Sequence, residues 1–235
     1  MKLILDKIIK NYESKEVLKG ASFTFETGKI YGLLGRNGAG KTTLFNCINE
    51  DTEIDSGKFH IDENGITRTV CAEDIGYILS TPVVPEFLTG REFLKFFIDI
   101  NKKSIKDIKT EDEYFEIMSI DTEDRDKLIK DYSHGMKNKM QLLVNLIANP
   151  EILLLDEPLT SFDVIVADEM KNLLRSIKSK HIIIFSTHIM ELALDLCDEI
   201  VILNNGVLEE IDKNNLDNTA FKDKIIAALR GGENE

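Results

Sequence analysis

The amino-terminal pattern of hydrophobic positions predicts strands that lead into a glycine-rich loop. Residues 3–9 carry alternating and paired apolar side chains, and residues 21–25 alternate cleanly between apolar and polar positions. Such alternation is typical of antiparallel strands with one buried face. Residues 29–34 form a nearly continuous apolar run, which predicts a buried strand, and apolar positions recur at helical spacing after the loop at 35–43. We therefore expect a strand, a glycine loop and a helix in succession.

The middle of the chain has a different, helical periodicity. Residues 91–100, 111–118 and 133–148 each place apolar side chains at the spacing of a helix. No convincing strand pattern interrupts them between about residues 82 and 150. We interpret this stretch as a helical subdomain inserted into the core.

From residue 151 onward, predicted strands and helices alternate. Residues 152–155 are wholly apolar, as expected for a parallel strand that is covered on both faces. The elements predicted next are a helix at 163–178, a strand at 181–186, a helix at 189–196 and a hairpin of 199–203 with 207–211. We predict one α/β domain over residues 1–211, with a mainly parallel sheet, an N-terminal antiparallel β subdomain and the helical insertion. Residues 212–235 form a short polar carboxyl-terminal segment with one possible helix at 221–229.

Composition and charge exclude several classes of partner and of protein. Among 235 residues, 29 Lys and Arg stand against 42 Asp and Glu, which gives a formal net charge of −13. Nucleic acid repels such a chain unless a basic patch overrides the mean, and none is evident, so we expect no nucleic-acid partner. Three cysteines without a CxxC motif argue against a disulfide framework. We expect neither a signal peptide nor a membrane span, because the longest apolar runs are too short.

The glycine loop matches the phosphate-binding pattern G-x-x-x-x-G-K-[ST] at every fixed position. Glycines let the backbone curl so that successive N–H groups point at phosphate oxygens, and the following helix adds the positive end of its dipole. Lys41 can reach the β- and γ-phosphates, and the Thr42 hydroxyl is an oxygen ligand for Mg²⁺. A glycine-rich turn before a helix is the alternative, and the strand–loop–helix context favours nucleotide binding. The residues predicted to bind ATP here are Gly35, Asn37, Gly38, Ala39, Gly40, Lys41, Thr42 and Thr43.

Acidic and histidine side chains follow two of the later strands. Asp156 ends an apolar strand, where it can hold Mg²⁺ directly or through water, and the adjacent Glu157 can act as a general base. Solvated acids at a strand end are the alternative interpretation of this pair. His188 follows the next strand, and ligands of doubly wound sheets bind at the carboxyl ends of strands. A lone histidine is more often structural, but this position places His188 to meet a γ-phosphate.

With these motifs in order, the chain resembles the ATP-binding subunit of an ABC transporter from about residue 3 to residue 211. The glycine loop is similar to Walker A, and residues 153–157 are similar to Walker B with its catalytic glutamate. The resemblance implies a P-loop NTPase core with ATP and Mg²⁺ as cofactors. It further implies that Lys41, Glu157 and His188 are catalytic.

The resemblance adds four candidate residues outside these loops. Tyr12 stands where the family stacks an aromatic ring on adenine, although a partly exposed tyrosine at a strand end is the alternative. Asp163 matches the D-loop aspartate. Ser133 and Gly135 match the family signature, which implies contact with ATP bound by an opposite protomer. Ser133 can also cap the helix that it precedes, and this role alone would explain it equally well.

Two positions depart from the family pattern. His134 replaces the first glycine of the signature. Ser80 stands where the Q-loop glutamine is usual, and we count it among the metal-site residues with Thr42 and Asp156. The shorter serine could reach Mg²⁺ or the attacking water only through another water, so we expect looser coupling of the helical insertion to the metal site.

The function implied by the resemblance is an ATPase that powers transport of an unknown substrate through a separate transmembrane permease. Residues 88–94 and 133–137 are similar to subunits of ABC-2-type exporters, which implies export. The ATPase subunits are expected to form a homodimer or a heterodimer on the cytoplasmic face of the membrane, held there by the permease. A soluble or regulatory ABC ATPase that is not coupled to transport is the alternative.

The permease is expected to dock on the hydrophobic helices of the insertion. The aromatic residues of this region are Phe87, Phe93, Phe96 and Phe97. Packing into the protein core would explain most of them equally well.

Overall fold

The computed structural model describes residues 1–13, 15–103, 105, 108–159, 162 and 164–211. The predicted helix at 221–229 and the rest of the segment 212–235 lie outside the described residues. The strands are β1 (Lys2–Tyr12), β2 (Lys15–Glu26), β3 (Ile30–Leu34), β4 (Ser56–Glu63), β5 (Ile66–Arg68), β6 (Ile75–Ile78), β7 (Ile152–Asp156), β8 (Ile182–Thr187), β9 (Glu199–Asn204) and β10 (Val207–Ile211). The α-helices are α1 (Lys41–Ile48), α2 (Gly90–Asn101), α3 (Glu111–Ile117), α4 (His134–Ala148), α5 (Val164–Ile177) and α6 (Met190–Leu196).

The first four-stranded sheet is antiparallel, with the strand order β2-β1-β4-β5. This confirms the predicted antiparallel sheet, although β1 and β2 are longer than their apolar patterns indicate. Two of its strands, β4 and β5, were missed by the sequence analysis. β4 has few apolar positions, with Ile61 fully buried and Phe59 partly buried, and Ile66 of β5 is exposed.

The second sheet has six strands in the order β10-β9-β3-β8-β7-β6, and all neighbours are parallel except β9 and β10. It confirms the predicted α/β class with a mainly parallel sheet. Alternate residues of β7 enter two cores: Leu154 belongs to the core that includes α1 and the antiparallel sheet, whereas Leu153 belongs to the core that includes residues of α2 to α6. The continuous apolar run of β7 therefore reflects burial on both faces.

Three helices, α2, α3 and α4, connect β6 to β7 in the stretch with the predicted helical periodicity. Each begins at a side-chain cap, in which Thr89, Thr110 and Ser133 accept a hydrogen bond from a backbone N–H of the first turn. The division into a domain of residues 1–211 with an inserted subdomain stays a prediction. In the part of the chain that the structure describes, no helix combines the length and the apolar character needed to cross a membrane.

Candidate functional site

Loops that follow three neighbouring parallel strands meet at one edge of the six-stranded sheet. β8 lies between β3 and β7, so that Thr187 is aligned with Leu34 and Ser186 with Asp156. Parallel strands present their carboxyl ends at the same edge, where ligands of such sheets bind. The glycine loop, the acidic pair and His188 are therefore brought together.

The glycine loop curls between β3 and α1. Gly38 and Gly40 have φ angles of 77° and 105°, a region that side chains disfavour and glycine enters freely. At Gly40 space is also limiting, since a Cβ there would lie 2.8 Å from Cγ1 of Val17. β2 therefore supports the turn that starts α1.

The Lys41 side chain is drawn into this loop and is only 6% exposed. Its Nζ donates to the carbonyl oxygen of Gly35 at 2.7 Å and lies 3.4 Å from Oε1 of Glu157. A buried ammonium group with carbonyl and carboxylate partners is well placed to exchange them for phosphate oxygens.

Two oxygen groups, one from the first turn of α1 and one from the end of β7, form the candidate metal site. The Thr42 hydroxyl donates to Oδ2 of the buried Asp156 at 2.7 Å. Mg²⁺ in phosphate-binding sites takes one or two protein oxygens beside phosphate and water, so this pair fits the ion. The described residues contain no group of three or more His, Cys, Asp or Glu side chains arranged to hold a metal.

Glu157 and His188 contact each other at the edge of the site. The Nδ1 atom of His188 lies 3.0 Å from Oε1 and 2.9 Å from Oε2 of Glu157. The backbone of Glu157 is left-handed, with φ of 51°, and its N–H points at Ser186. These contacts hold the carboxylate between His188 and Lys41.

A cavity of about 370 Å³ lies over the glycine loop. Tyr12 lines it at the end of β1 and is 45% exposed. The Lys10 ammonium lies 5.2 Å from the centre of the Tyr12 ring, within cation–π range. The lining residues are Tyr12, Lys15, Val17, Arg36, Asn37, Gly38, Gly40, Lys41, Thr42, Thr43, Ser80, Asp156 and Glu157.

The predicted signature residues do not line this cavity. Ser133 caps α4, because its Oγ accepts a hydrogen bond from the N–H of Met136 at 3.1 Å. A Cβ on Gly135 would lie 3.3 Å from the ring of Phe162, tighter than an ordinary van der Waals contact. Asp163 lies outside the described residues.

Other predicted residues reach the cavity indirectly. The carbonyl oxygen of Gly35 accepts a hydrogen bond from Lys41, which lines the cavity. His188 contacts Glu157, which also lines it. Ala39 lines a neighbouring cavity of about 570 Å³ on the side of the β9–β10 turn.

Tyr77 of β6 supports α1 beneath the glycine loop. Its hydroxyl donates to Oδ1 of Asn46 at 3.1 Å. Burial raises the pKa of Tyr77, and the Asp156 carboxylate raises it further. The phenol keeps its proton at neutral pH, as any tyrosine does, and the raised pKa extends this donation to α1 further into the alkaline range.

Sequence reasoning missed several residues of the site. Lys15, Val17 and Arg36 line the cavity, and Ser186 binds Asp156 from β8. Lys15 is paired with Tyr12 across the β1–β2 turn. Because Lys15 and Val17 follow Tyr12 by only a few residues, the sequence could have indicated both of them. Nothing in the sequence pattern indicated that the Ser186 hydroxyl points toward Asp156.

Comparisons with known proteins show the family to which the chain belongs. The model of the ABC transporter family matches residues 18–160. An uncharacterized ABC transporter ATP-binding protein of Bacillus subtilis (strain 168), YdbJ, is 31% identical over 225 residues, which cover 94% of this chain and 72% of that protein. ATP-binding cassette sub-family A member 6 of Homo sapiens is 34% identical over 211 residues, and the match covers 85% of this chain but 13% of that longer protein.

Solved structures share the fold. One is the dimeric structure of a post-hydrolysis state of an ATP-binding cassette bound to ADP and Pi. It aligns with a TM-score of 0.74 over 89% of this chain and 99% of that chain, at 19% sequence identity.

Proposed function

Since the chain belongs to the ABC transporter family and is an ABC-type ATPase that binds ATP, we propose that it powers transport of a substrate through a separate membrane permease. One observation carries the assignment of the site. One cavity over the glycine loop is lined by Lys41 and Thr42, from the first turn of α1, and by Asp156 and Glu157, at the carboxyl end of β7. A phosphate-binding lysine, two magnesium-type oxygens and a base are the groups that phosphoryl transfer to water requires.

Lys41 and the backbone amides of the glycine loop are the proposed phosphate ligands. Lys41 would leave the Gly35 carbonyl and the Glu157 carboxylate for the β- and γ-phosphate oxygens. Thr42 and Asp156 would hold Mg²⁺, which neutralises phosphate charge when bound. The exposed Tyr12 ring offers a face on which adenine can stack.

Glu157 is the proposed general base. Its carboxylate would accept a proton from the water that attacks the γ-phosphate, and this transfer makes the water a better nucleophile. With Nδ1 of His188 directed at Glu157, Nε2 would be the ring nitrogen left to contact a γ-phosphate oxygen.

Two ATPase subunits, identical or related, are proposed to close around two ATP molecules. The capped amino terminus of α4 carries Ser133 and Gly135 outside the chain's own cavity. A helix amino terminus favours anions, so these residues suit the phosphates bound by an opposite subunit. The dimeric cassette bound to ADP and Pi supports this arrangement.

The proposed permease contact is the exposed apolar surface that leads into and along α2. Phe87 and Phe96 are 80% and 56% exposed, whereas Phe93 and Phe97 pack against the core. Burial therefore accounts for two of the four aromatics, and the other two can contact a partner. Bound in this way, the ATPase would lie on the cytoplasmic face of the membrane.

We expect a mild-detergent pulldown of the tagged chain from its native host to recover a stoichiometric polytopic membrane protein. The double substitution Phe87→Ser and Phe96→Ser should lower that recovery by about tenfold or more, because exposed aromatics often dominate binding energy. Mass spectrometry of the eluted proteins measures both outcomes.

The matched control is Ile66→Ser, which removes a 74% exposed apolar side chain from the antiparallel sheet. It should leave the recovery and the ATPase rate unchanged. Recovery of soluble partners only, from intact membranes, would favour a soluble or regulatory ABC ATPase. The ATP site would stand in that case, but transport would not.

Ser80→Gln tests the proposed role of the short side chain at the metal site. A glutamine at this lining position could reach Mg²⁺ directly. We expect the Mg²⁺ concentration for half-maximal ATPase rate to fall by about tenfold, in line with other changes near metal ligands. Steady-state ATPase at graded Mg²⁺ measures this, with the exposed Ser56→Gln as control. An unchanged rate and Mg²⁺ dependence would contradict the proposal.

Export is the proposed direction of transport. It is supported by the similarity of residues 88–94 and 133–137 to ABC-2-type exporters. Part of the first motif also has a local structural explanation, because Thr89 and Glu92 form the capping box that starts α2. Vesicles containing the permease, once it is recovered, would test the direction by the side on which ATP drives substrate accumulation.

A further inference from the structure

Ser186 is a fully buried serine at the carboxyl end of β8, with no exposed surface. Its hydroxyl donates to Oδ1 of Asp156 at 2.5 Å and accepts from the N–H of Glu157 at 3.1 Å. One side chain thus contacts both the proposed metal carboxylate and the backbone of the proposed base. A buried hydroxyl with both a donor and an acceptor partner is fixed in orientation.

The bond to Asp156 fixes the plane of its carboxylate. Thr42 donates to Oδ2, the oxygen that faces the glycine loop, and Ser186 donates to Oδ1, the oxygen that faces β8. If the Ser186 hydroxyl were removed, Oδ1 would lose this donor in a buried setting. The carboxylate could then rotate away from the position that serves the metal ion.

The contact with Glu157 acts on the backbone. Glu157 has φ of 51°, a conformation that residues with a side chain seldom adopt. Its N–H is shared between Oγ of Ser186 and the carbonyl oxygen of Ser186, the latter at 3.3 Å. The carbonyl would remain in a Ser186→Ala variant, so the larger effect of that change should fall on Asp156.

We propose that Ser186 is a positioning residue that sets the Asp156 carboxylate for Mg²⁺ and links it to the backbone of Glu157. This inference rests on the proposed function, in which Asp156 holds Mg²⁺ and Glu157 is the base. Both contacts of the Ser186 hydroxyl are with neighbouring residues of the protein. Ser186 therefore acts through its two neighbours, as outer-shell partners of metal ligands do.

The experiment measures metal affinity separately from turnover. Mn²⁺ is titrated as a probe into the full chain held in excess over ATP, and free Mn²⁺ is read by electron paramagnetic resonance. Ser186→Ala should weaken Mn²⁺ binding by about 10- to 100-fold and lower kcat by a similar factor. Binding of ATP in EDTA should stay within about twofold, because the phosphate ligands Lys41 and the loop amides are untouched.

Two further variants separate positioning from folding. Ser186→Thr keeps the hydroxyl and should restore most of the Mn²⁺ affinity. Ser176→Ala removes an exposed serine hydroxyl from α5, where it bonds to the carbonyl of Leu173, and should change neither quantity.

Wild-type Mn²⁺ affinity in Ser186→Ala would overturn the inference. Loss of metal-free ATP binding in both Ser186 variants would also overturn it, because the residue would then serve folding alone. Glu157→Gln, measured in parallel, reports on the proposed function itself. An inactive Glu157→Gln beside a normal Ser186→Ala refutes only the role of Ser186, whereas a fully active Glu157→Gln refutes the proposed base.

Discussion

Glu157→Gln should lower the rate of ATP hydrolysis by about 10²- to 10⁴-fold, the usual contribution of a general base. The amide has nearly the shape of the carboxylate and can still pair with Nδ1 of His188, but it does not take a proton from water. ATP binding should persist, since Lys41 and the loop amides remain. If hydrolysis releases the proposed closed pair, the variant should accumulate as an ATP-bound dimer, seen by size-exclusion chromatography with nucleotide analysis.

A matched control for this substitution is Glu73→Gln, which makes the same chemical change at an exposed position before β6. It should hydrolyse ATP at the wild-type rate and show no ATP-dependent dimer beyond that of the wild type. Wild-type turnover in Glu157→Gln would assign the base to another group.

Lys41→Met should abolish measurable ATPase activity and weaken ATP binding on the order of 10- to 100-fold. The substitution keeps an unbranched side chain of similar length in the 6% exposed position, but it removes the ammonium group. Hydrogen bonds to charged groups contribute about 1.5–3 kcal/mol, which corresponds to this loss of affinity. Equilibrium dialysis with labelled ATP measures the dissociation constant.

The control is Lys58→Met, which removes an exposed ammonium group from β4 without touching the cavity over the glycine loop. If this variant lost affinity as Lys41→Met does, net charge rather than a specific contact would explain the effect. If Lys41→Met bound ATP as tightly as the wild type, Lys41 would not be a phosphate ligand.

Much of the fold could be predicted from the sequence, because hydrophobic spacing reports burial directly. The sequence of β7 is a continuous apolar run because both faces of the strand are covered. The sequence of α2 has helical spacing of apolar residues because one side of the helix packs into the core. β4 could not be predicted in the same way. Its pairing with β1 is a long-range contact, and its sequence is polar apart from Gly57, Phe59 and Ile61.

The same difference between local and long-range contacts decides which residues of the site could be predicted. The glycine loop is local in sequence, so its pattern and the strand and helix around it were enough to place Lys41 and Thr42. Ser186 acquires its contact with Asp156 only when β8 pairs with β7, 30 residues apart in the chain. Ser133 raises a different problem, because its proposed ATP contact belongs to an opposite subunit and no single chain contains it.

The ring of Phe162 lies close to Gly135, which brings the turn that follows β7 next to the amino terminus of α4. In the proposed pair of subunits, the first of these elements follows the base that serves the chain's own ATP. The second serves the ATP of the opposite subunit. A movement of either element would therefore change the affinity for ATP at both sites of the proposed pair. Such mutual dependence of two affinities is thermodynamic linkage. Any effect of ATP at the first site on affinity at the second would then equal the effect of the second on the first.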